Sequence, residues 1–249
     1  MATAPTLSMT QRVVLVTGST SGIGEATARR FAAGGDTVIF NSARSVDVGE
    51  RLRAATPGSH YVQADIAQPD ECVRLIDDVL ERCGRLDVLI NNAGTTKVIA
   101  HADLAGATID VWREIFEVNV FGTWNVSVAA MEALRQRGGS IVNVSSVAGV
   151  RPTGSSIPYA ASKAALNHLT ALLAKVVGPE VRVNAVAPGL IDTPWTADWD
   201  AVRSYVSAVA PLARSGTPSD VADVIVALAS TPYVTGQVVV VDGGLSIAT

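Results

Sequence analysis

The chain has few cysteines, few histidines and few charged residues. It carries two cysteines and three histidines in 249 residues, and Asp, Glu, Lys and Arg make up only 17% of it. Cys72 and Cys83 fall eleven positions apart on one predicted helix, too far apart for a disulfide. We therefore expect two reduced thiols, as in a cytoplasmic protein. His60, His101 and His168 have no metal-ligand spacing with other His, Cys or carboxylate residues, so no metal site is expected.

The sequence also lacks a basic excess and a long apolar run. The net charge of -4 provides no basic footprint for nucleic acid or for an anionic membrane. No window approaches the roughly 18 uninterrupted apolar residues of a membrane span. Residues 1–12 contain no basic segment followed by an apolar core, so a signal peptide is not expected. These absences favour a soluble cytoplasmic protein that binds neither nucleic acid nor membrane.

Apolar residues are abundant, at 48% of the chain, and they form short β-branched runs that alternate with helical patterns. Strands are predicted at 12–17, 37–40, 61–64, 86–90, 140–145, 181–186 and 237–241, and helices at 23–33, 46–55, 71–82, 108–137 and 158–177. Continuous apolar strands are typical of a parallel sheet that is buried on both faces. Because strands alternate with helices, we predict an α/β fold with a doubly wound seven-stranded sheet.

No repeat or linker divides the chain, so residues 1–249 are predicted to form one domain. Residues 190–213 do not fit the strand pattern, because Trp195, Trp199 and Tyr205 occur there among small and charged residues. This segment is predicted to be a small helical lid over the substrate. The two tryptophans are expected to pack the lid itself, and the alternative is that both face the substrate.

A glycine-rich turn follows the first predicted strand, with glycines at positions 18, 22 and 24. Glycines in this arrangement permit a tight turn, a close approach of the backbone to a pyrophosphate, and close packing of the next helix. A helix that begins near Gly22 would direct its free N–H groups at the phosphates. The alternative is an ordinary strand-to-helix turn with no ligand.

Tyr159 and Lys163 are four residues apart on a predicted helix and therefore share one face. An ammonium group one turn away, together with the positive ring of an oxidised nicotinamide, favours the phenolate form of the tyrosine. Ser146 lies thirteen residues before Tyr159, and its hydroxyl could hold the substrate oxygen. Ser145 would face away from the tyrosine. The alternative is a surface Tyr–Lys pair near the start of a helix.

Taken together, these motifs resemble those of the short-chain dehydrogenase/reductase family over nearly the whole chain. The resemblance also includes Asn91-Asn92-Ala93-Gly94 after the fourth strand and Pro188-Gly189 after the sixth. It implies a Rossmann-type fold and an enzyme that transfers a hydride between nicotinamide and a carbonyl or secondary alcohol, with Tyr159 as general acid/base.

The resemblance also implies the residues of the site. The implied catalytic residues are Asn119, Ser146, Tyr159 and Lys163. The resemblance implies that Asn119 distorts the long helix and holds a water that links Lys163 to solvent. The implied coenzyme-binding residues are Gly18, Ser21, Gly22, Ile23, Gly24, Ser42, Arg44, Asp65, Ile66, Asn91, Ala93, Gly94, Tyr159, Lys163, Pro188, Gly189, Ile191 and Thr193.

The end of the second strand bears on the choice between NAD and NADP. Ser42 stands where an NAD-specific family member would carry an aspartate for the ribose 2′-hydroxyl. A missing carboxylate removes the repulsion of a 2′-phosphate, and Arg44 could bind that group. Ser21 argues in the other direction, because many NADP-dependent members carry Arg or Lys there. We expect NADP(H) to be favoured over NAD(H).

The resemblance is to 3-oxoacyl-[acyl-carrier-protein] reductases in particular, and it implies a homotetramer. The tetramer would use the helices at 108–137 and 158–177 and the segment after Val241. Arg135 and Arg137 could attract an acidic carrier protein, but Gly178-Pro179-Glu180 is not basic. A free ketone, steroid, sugar or amino-alcohol substrate therefore stays open. A non-catalytic dinucleotide sensor on the same fold is the remaining alternative.

Overall fold

A computed structural model describes residues 11–248, and these form a parallel sheet of seven strands between two layers of helices. The strands are β1 (Val13–Val16), β2 (Thr37–Ser42), β3 (His60–Gln63), β4 (Val88–Asn91), β5 (Ser140–Val144), β6 (Arg182–Pro188) and β7 (Val238–Val241). Their order in the sheet is β3-β2-β1-β4-β5-β6-β7, and every neighbouring pair is parallel. Residues 1–10, which belong to the segment where no signal peptide is expected, lie outside the described residues.

The strand order reverses between β1 and β4, which is the arrangement of a doubly wound Rossmann-type sheet. All residues of β1, β4 and β5 are buried, because one hydrophobic cluster covers each face of the sheet. The predicted fold class is confirmed. The carboxyl ends of β1 and β4 meet at the point of reversal, where open α/β sheets bind their ligands.

The helices surround this sheet on both sides. They are α1 (Gly22–Ala33), α2 (Val46–Ala55), α3 (Pro69–Cys83), α4 (Ile109–Phe116), α5 (Thr123–Arg135), α6 (Ile157–Val177), α7 (Asp200–Val209), α8 (Pro218–Ser230) and α9 (Leu245–Ala248). Cys72 and Cys83 both lie on α3 as free thiols. Within residues 11–248, no helix has the length and apolar character needed to cross a bilayer.

The predicted helix at 108–137 is not continuous. A π-helical turn at Glu117–Gly122 separates α4 from α5. In this wider turn the Thr123 hydroxyl donates to the carbonyl oxygen of Asn119, and the Asn119 side chain bonds to Thr95 in the loop after β4. The π turn therefore joins the helix to the carboxyl end of the sheet.

Helix α8 was not predicted. It packs Val221 and Ile225 against the sheet. Its start carries a sequence signal, a capping box in which the Thr217 hydroxyl accepts from the Asp220 N–H and the Asp220 carboxylate accepts from the Thr217 N–H. A Thr three residues before an acidic residue, ahead of an apolar run, is the pattern that marks such a helix start.

Candidate active site

A cavity of about 1090 Å³ extends along the carboxyl ends of the strands. Its wall includes most of the residues that the sequence assigned to the site. These are Gly18, Ser21, Gly22, Ile23, Ser42, Arg44, Asp65, Ile66, Ala93, Gly94, Ser146, Tyr159, Lys163, Pro188, Gly189, Ile191 and Thr193. Residues from seven separate stretches of sequence therefore meet around one space.

Three assigned residues, Gly24, Asn91 and Asn119, do not line this cavity. The assignment of Asn91 to the coenzyme side is corrected, because its buried amide donates to Ser127 at 3.0 Å and to Asn143 at 2.9 Å inside the protein. Successive residues of a strand face opposite sides of the sheet. Gly24 and Asn119 likewise support the site from behind the wall.

The glycine turn is shaped by close packing against the end of β4. Gly18 has a φ of +60°, and a Cβ atom there would lie 2.8 Å from the Cα of Ala93. At Gly24 a Cβ atom would lie 2.6 Å from the carbonyl oxygen of Gly18. Only glycine fits these positions, and the N-terminus of α1, next to Ser21, is left open to the cavity. This cradle fits a pyrophosphate group.

Two asparagines that the sequence analysis did not assign hold this turn. The Asn92 side chain donates to the carbonyl oxygens of Thr17 and Gly18, each at 2.9 Å. The Asn41 side chain accepts from the Gly18 N–H at 3.3 Å and donates to two carbonyl groups at the end of β3. Asn92 could have been found as the neighbour of Asn91, whereas Asn41 carries no signal beyond a polar residue in an apolar strand.

Tyr159, Lys163 and Ser146 meet at the cavity. Ser146 follows β5 by two residues, and its side chain lies close enough to the Tyr159 phenol to affect the pKa of that group. Lys163 Nζ donates to the carbonyl oxygen of Val144 at 2.9 Å and lies 5.7 Å from the centre of the Tyr159 ring. The Ser145 hydroxyl donates to the Lys163 carbonyl at 3.2 Å, so this side chain points to the backbone of α6. The structure thus brings together three of the four predicted acid/base residues.

Burial shifts the pKa values of the two titratable groups in opposite directions. It raises the pKa of the Tyr159 phenol, an effect that the hydrogen bond from Ser146 partly opposes. It lowers the pKa of the Lys163 ammonium to about 8. From the sequence, a phenolate favoured by the lysine and by an oxidised coenzyme is expected. In the chain alone burial dominates, so the phenol is protonated at neutral pH and is available as a proton donor.

Asn119 connects three parts of the site from behind. Its Oδ1 accepts from the Thr95 N–H at 2.8 Å, and its Nδ2 donates to the Thr95 carbonyl and the Ser162 hydroxyl, each at 3.0 Å. The Ser162 hydroxyl donates in turn to the Tyr159 carbonyl at 2.7 Å. The π turn, the loop after β4 and the first turn of α6 are thereby held in a fixed arrangement.

One cation stands at the other end of the cavity. Ser42 ends β2, and its hydroxyl is hydrogen-bonded to that of Tyr61 at 2.9 Å. The Arg44 side chain is exposed, lines the cavity, and makes no ion pair or hydrogen bond within residues 11–248. Asp65 lines the same end. A guanidinium without an internal partner is suited to an external anion such as a phosphate.

The lid segment, residues 190–213, contains a short 3₁₀ helix at Pro194–Thr196 followed by α7. Of the two positions left open for Trp195, the structure shows the one that faces the cavity. Its ring is 46% exposed, lines the cavity, and stands with its centre 6.4 Å from that of Tyr159 at an angle of 64°. The lid therefore presents an aromatic surface beside the candidate proton donor.

Arg137 does not lie at the cavity entrance of its own chain. It pairs with Asp87 at 3.5 Å, and Asp87 comes just before the amino end of β4, whereas the cavity lies at the carboxyl ends. Arg135 ends α5, two residues earlier. The suggestion that Arg135 and Arg137 form a basic patch for a carrier protein at the cavity entrance is therefore wrong for a single copy of the chain.

Comparisons with known proteins agree with this geometry. A family model described as enoyl-(acyl carrier protein) reductase matches residues 18–246. A Streptomyces violaceoruber protein, provisionally named ketoacyl reductase 2 of the granaticin polyketide synthase, is 56% identical over 93% of this chain and 95% of its own length. The 3-oxoacyl-[acyl-carrier-protein] reductase FabG of Thermotoga maritima is 40% identical over 95% and 98%. The solved structure of ElxO with bound NADP has a TM-score of 0.88 and 28% identity, covering 96% of this chain and 100% of that one.

The fold and the site together define a Rossmann-type, nicotinamide-dependent oxidoreductase. The chain belongs to the short-chain dehydrogenase/reductase family, whose members bind NAD or NADP. The relatives include ketoacyl reductases, so the alternative of a non-catalytic dinucleotide sensor on the same fold is not favoured.

Proposed function

We propose that this chain is an NADPH-dependent ketoreductase that reduces the 3-oxo group of an acyl thioester to a secondary alcohol. The observation that carries the proposal is the meeting of Ser146, Tyr159 and Lys163 at one wall of a large cavity. The names of the two relatives support a 3-oxoacyl substrate. A bound nicotinamide coenzyme would supply the hydride.

The chain's own residues handle the proton. The Ser146 hydroxyl binds and orients the carbonyl oxygen of the substrate, and the Tyr159 phenol gives its proton to that oxygen. The Lys163 ammonium stabilises the phenolate that forms. Asn119 acts as a positioning residue through Thr95 and through Ser162, because it does not reach the cavity wall.

The cavity wall would hold the coenzyme along its whole length. The turn at Gly18 and the start of α1 would bind the pyrophosphate. Asp65 would lie at the adenine, and Ile191 and Thr193 would lie at the nicotinamide carboxamide. Arg44 would bind a 2′-phosphate, which favours NADP(H) over NAD(H).

Coenzyme preference is tested with the variant Arg44→Gln. We expect kcat/KM for NADPH to fall about 10- to 100-fold, because a hydrogen bond to a charged group is lost, while the value for NADH stays near that of the wild type. The substrate is 3-oxobutanoyl-N-acetylcysteamine, and the product is identified as the 3-hydroxy thioester. Arg51→Gln, on α2 and outside the cavity, is the matched control. Equal use of NADH and NADPH by the wild type would contradict the preference.

We also propose the larger organisation. Residues 1–249 form one domain with its lid at 190–213, and four copies form a cytoplasmic homotetramer that acts on a small carbonyl or alcohol substrate. Exposed apolar side chains on the surfaces expected for assembly support the tetramer. They are Phe121, Trp124, Val128, Leu172, Val176 and Ile247.

A further inference from the structure

The lid concentrates the aromatic residues of the chain on the cavity. The chain has only four Trp, four Tyr and four Phe residues. Trp195, Trp199 and Tyr205 fall within one short stretch, and all three line the cavity. Trp195 is 46% exposed and Tyr205 is 53% exposed, so these two rings do not owe their position to burial in the core.

Trp195 is the lid residue that meets the candidate proton donor. Its ring stands edge-on to that of Tyr159, with the ring centres 6.4 Å apart. The substrate carbonyl oxygen would have to reach the Tyr159 hydroxyl, and the indole beside that ring then offers a surface to a group attached to the carbonyl. Within the described part of the chain the indole has no hydrogen-bond partner, and its exposed surface is available for contact.

The base of Trp195 is held firmly. A capping box joins Thr193 and Thr196 on either side of it, and the Thr196 hydroxyl donates to the Ile191 carbonyl at 2.6 Å. From α7, Arg203 donates to the Thr196 carbonyl at 3.1 Å and to the Asp192 carboxylate at 2.9 Å. A ring on a preorganised base contacts a ligand without a large further loss of conformational entropy.

We propose that Trp195 is a specificity-determining residue that selects substrates with a planar aromatic or unsaturated ring next to the ketone. This inference rests on the ketoreductase function proposed above and narrows its substrate class. A saturated group of the same size would gain only apolar contact from the indole. A planar π-system gains in addition the stacked or edge-to-face interaction of two aromatic groups.

The test compares two thioesters that differ only in the ring beside the ketone, 3-oxo-3-phenylpropanoyl- and 3-oxo-3-cyclohexylpropanoyl-N-acetylcysteamine. The readout is the ratio of their kcat/KM values with NADPH. The two ketones differ in intrinsic reactivity, but this difference is the same for every variant. A change in the ratio between variants therefore reports the altered side chain. In Trp195→Leu we expect the phenyl-to-cyclohexyl ratio to fall about three- to tenfold. Trp195→Phe keeps a ring and should retain most of the wild-type ratio.

Leu212→Ala is the control variant, because Leu212 is exposed on the same lid and does not line the cavity; its ratio should equal that of the wild type. An unchanged ratio in Trp195→Leu would overturn the proposal, as would a ratio that falls equally in Trp195→Phe. In both cases the wild type would still reduce the thioesters, and the ketoreductase function would stand. A wild type that also fails to reduce 3-oxobutanoyl-N-acetylcysteamine would remove the proposed function and this inference with it.

Discussion

The proton chemistry depends on two neighbouring side chains whose pKa values move in opposite directions. Burial raises the pKa of Tyr159 and lowers that of Lys163 to about 8. At neutral pH the tyrosine is therefore a protonated acid and the lysine is largely a cation. This combination suits carbonyl reduction, in which the phenol loses a proton and the ammonium stabilises the resulting charge.

The rate of ketone reduction should depend on the charge of Lys163. As the pH rises through about 8, the lysine loses its proton, and the negative charge that develops on Tyr159 loses its stabilising partner. We expect kcat for reduction to be level below this pH and to fall above it, measured with saturating NADPH and thioester. The control is Lys163→Arg, because a guanidinium stays charged over this range. Its rate can be lower throughout, but the decline near pH 8 should be absent, and a decline at the same pH would contradict the assignment.

Residues recognisable by their spacing or by the family resemblance were predicted, and several residues defined only by three-dimensional contacts were not. Tyr159 and Lys163 are separated by one helical turn, so their common face follows from sequence alone. Asn92 was not assigned, because its role is to bond a turn that lies 74 residues away. Nothing in the sequence decides whether the Trp195 ring packs within the lid or faces the substrate.

Among the elements, the π turn between α4 and α5 departs most from the prediction. The apolar pattern of residues 108–137 fits one long helix, and a periodicity of 3.6 does not reveal one wider turn. The resemblance implied a distortion of this helix at Asn119, but the contact between Asn119 and Thr95 could not be read from the sequence. By contrast, the strands of the sheet were found to within a few residues, because most of them contain a short run of apolar, β-branched residues.

Removal of the Asn119 side chain should affect both stability and catalysis. Asn119→Ala leaves the partly buried Thr95 N–H without its acceptor, which costs about 1–3 kcal/mol in the free energy of unfolding. It also frees Ser162, so kcat should fall while KM for the coenzyme changes little. Urea unfolding and steady-state kinetics measure the two effects. Asn125→Ala is the matched control, because Asn125 lies on α5 and has no side-chain hydrogen bond within the described residues. Equal losses in both variants would contradict a special role for Asn119.

For the whole molecule, the fold class could be predicted from the alternation of strands and helices, because parallel strands require crossover helices. The assembly could not be derived in the same way, because apolar residues on a helix can pack either in the core of their own chain or against a partner subunit. In the structure Trp124 and Val128 on α5 are exposed. β7, although it consists of four valines, is only partly buried at the edge of the sheet.

A charge on the exposed face of α5 should dissociate the proposed homotetramer. Trp124 is 44% exposed, and Trp124→Glu would bury an unpaired carboxylate in a subunit interface. Sedimentation velocity should show a tetramer for the wild type and a smaller species for the variant. Val73→Glu serves as the control, because Val73 on α3 is 53% exposed but outside the surfaces assigned to assembly. A wild type that sediments as a monomer would contradict the assembly.

The most direct test of the central claim is the reduction of a 3-oxoacyl thioester by the variant Tyr159→Phe with NADPH. The rate is measured as the oxidation of the coenzyme, and the product is identified. The variant removes the phenolic hydroxyl and keeps the ring that faces Trp195. If Tyr159 is the proton donor, kcat should fall at least about 100-fold. The affinity for NADPH, measured by coenzyme fluorescence, should stay within about twofold of the wild type, because the loss of one hydroxyl group leaves the cavity intact. Reduction at the wild-type rate by this variant would contradict the proposed mechanism.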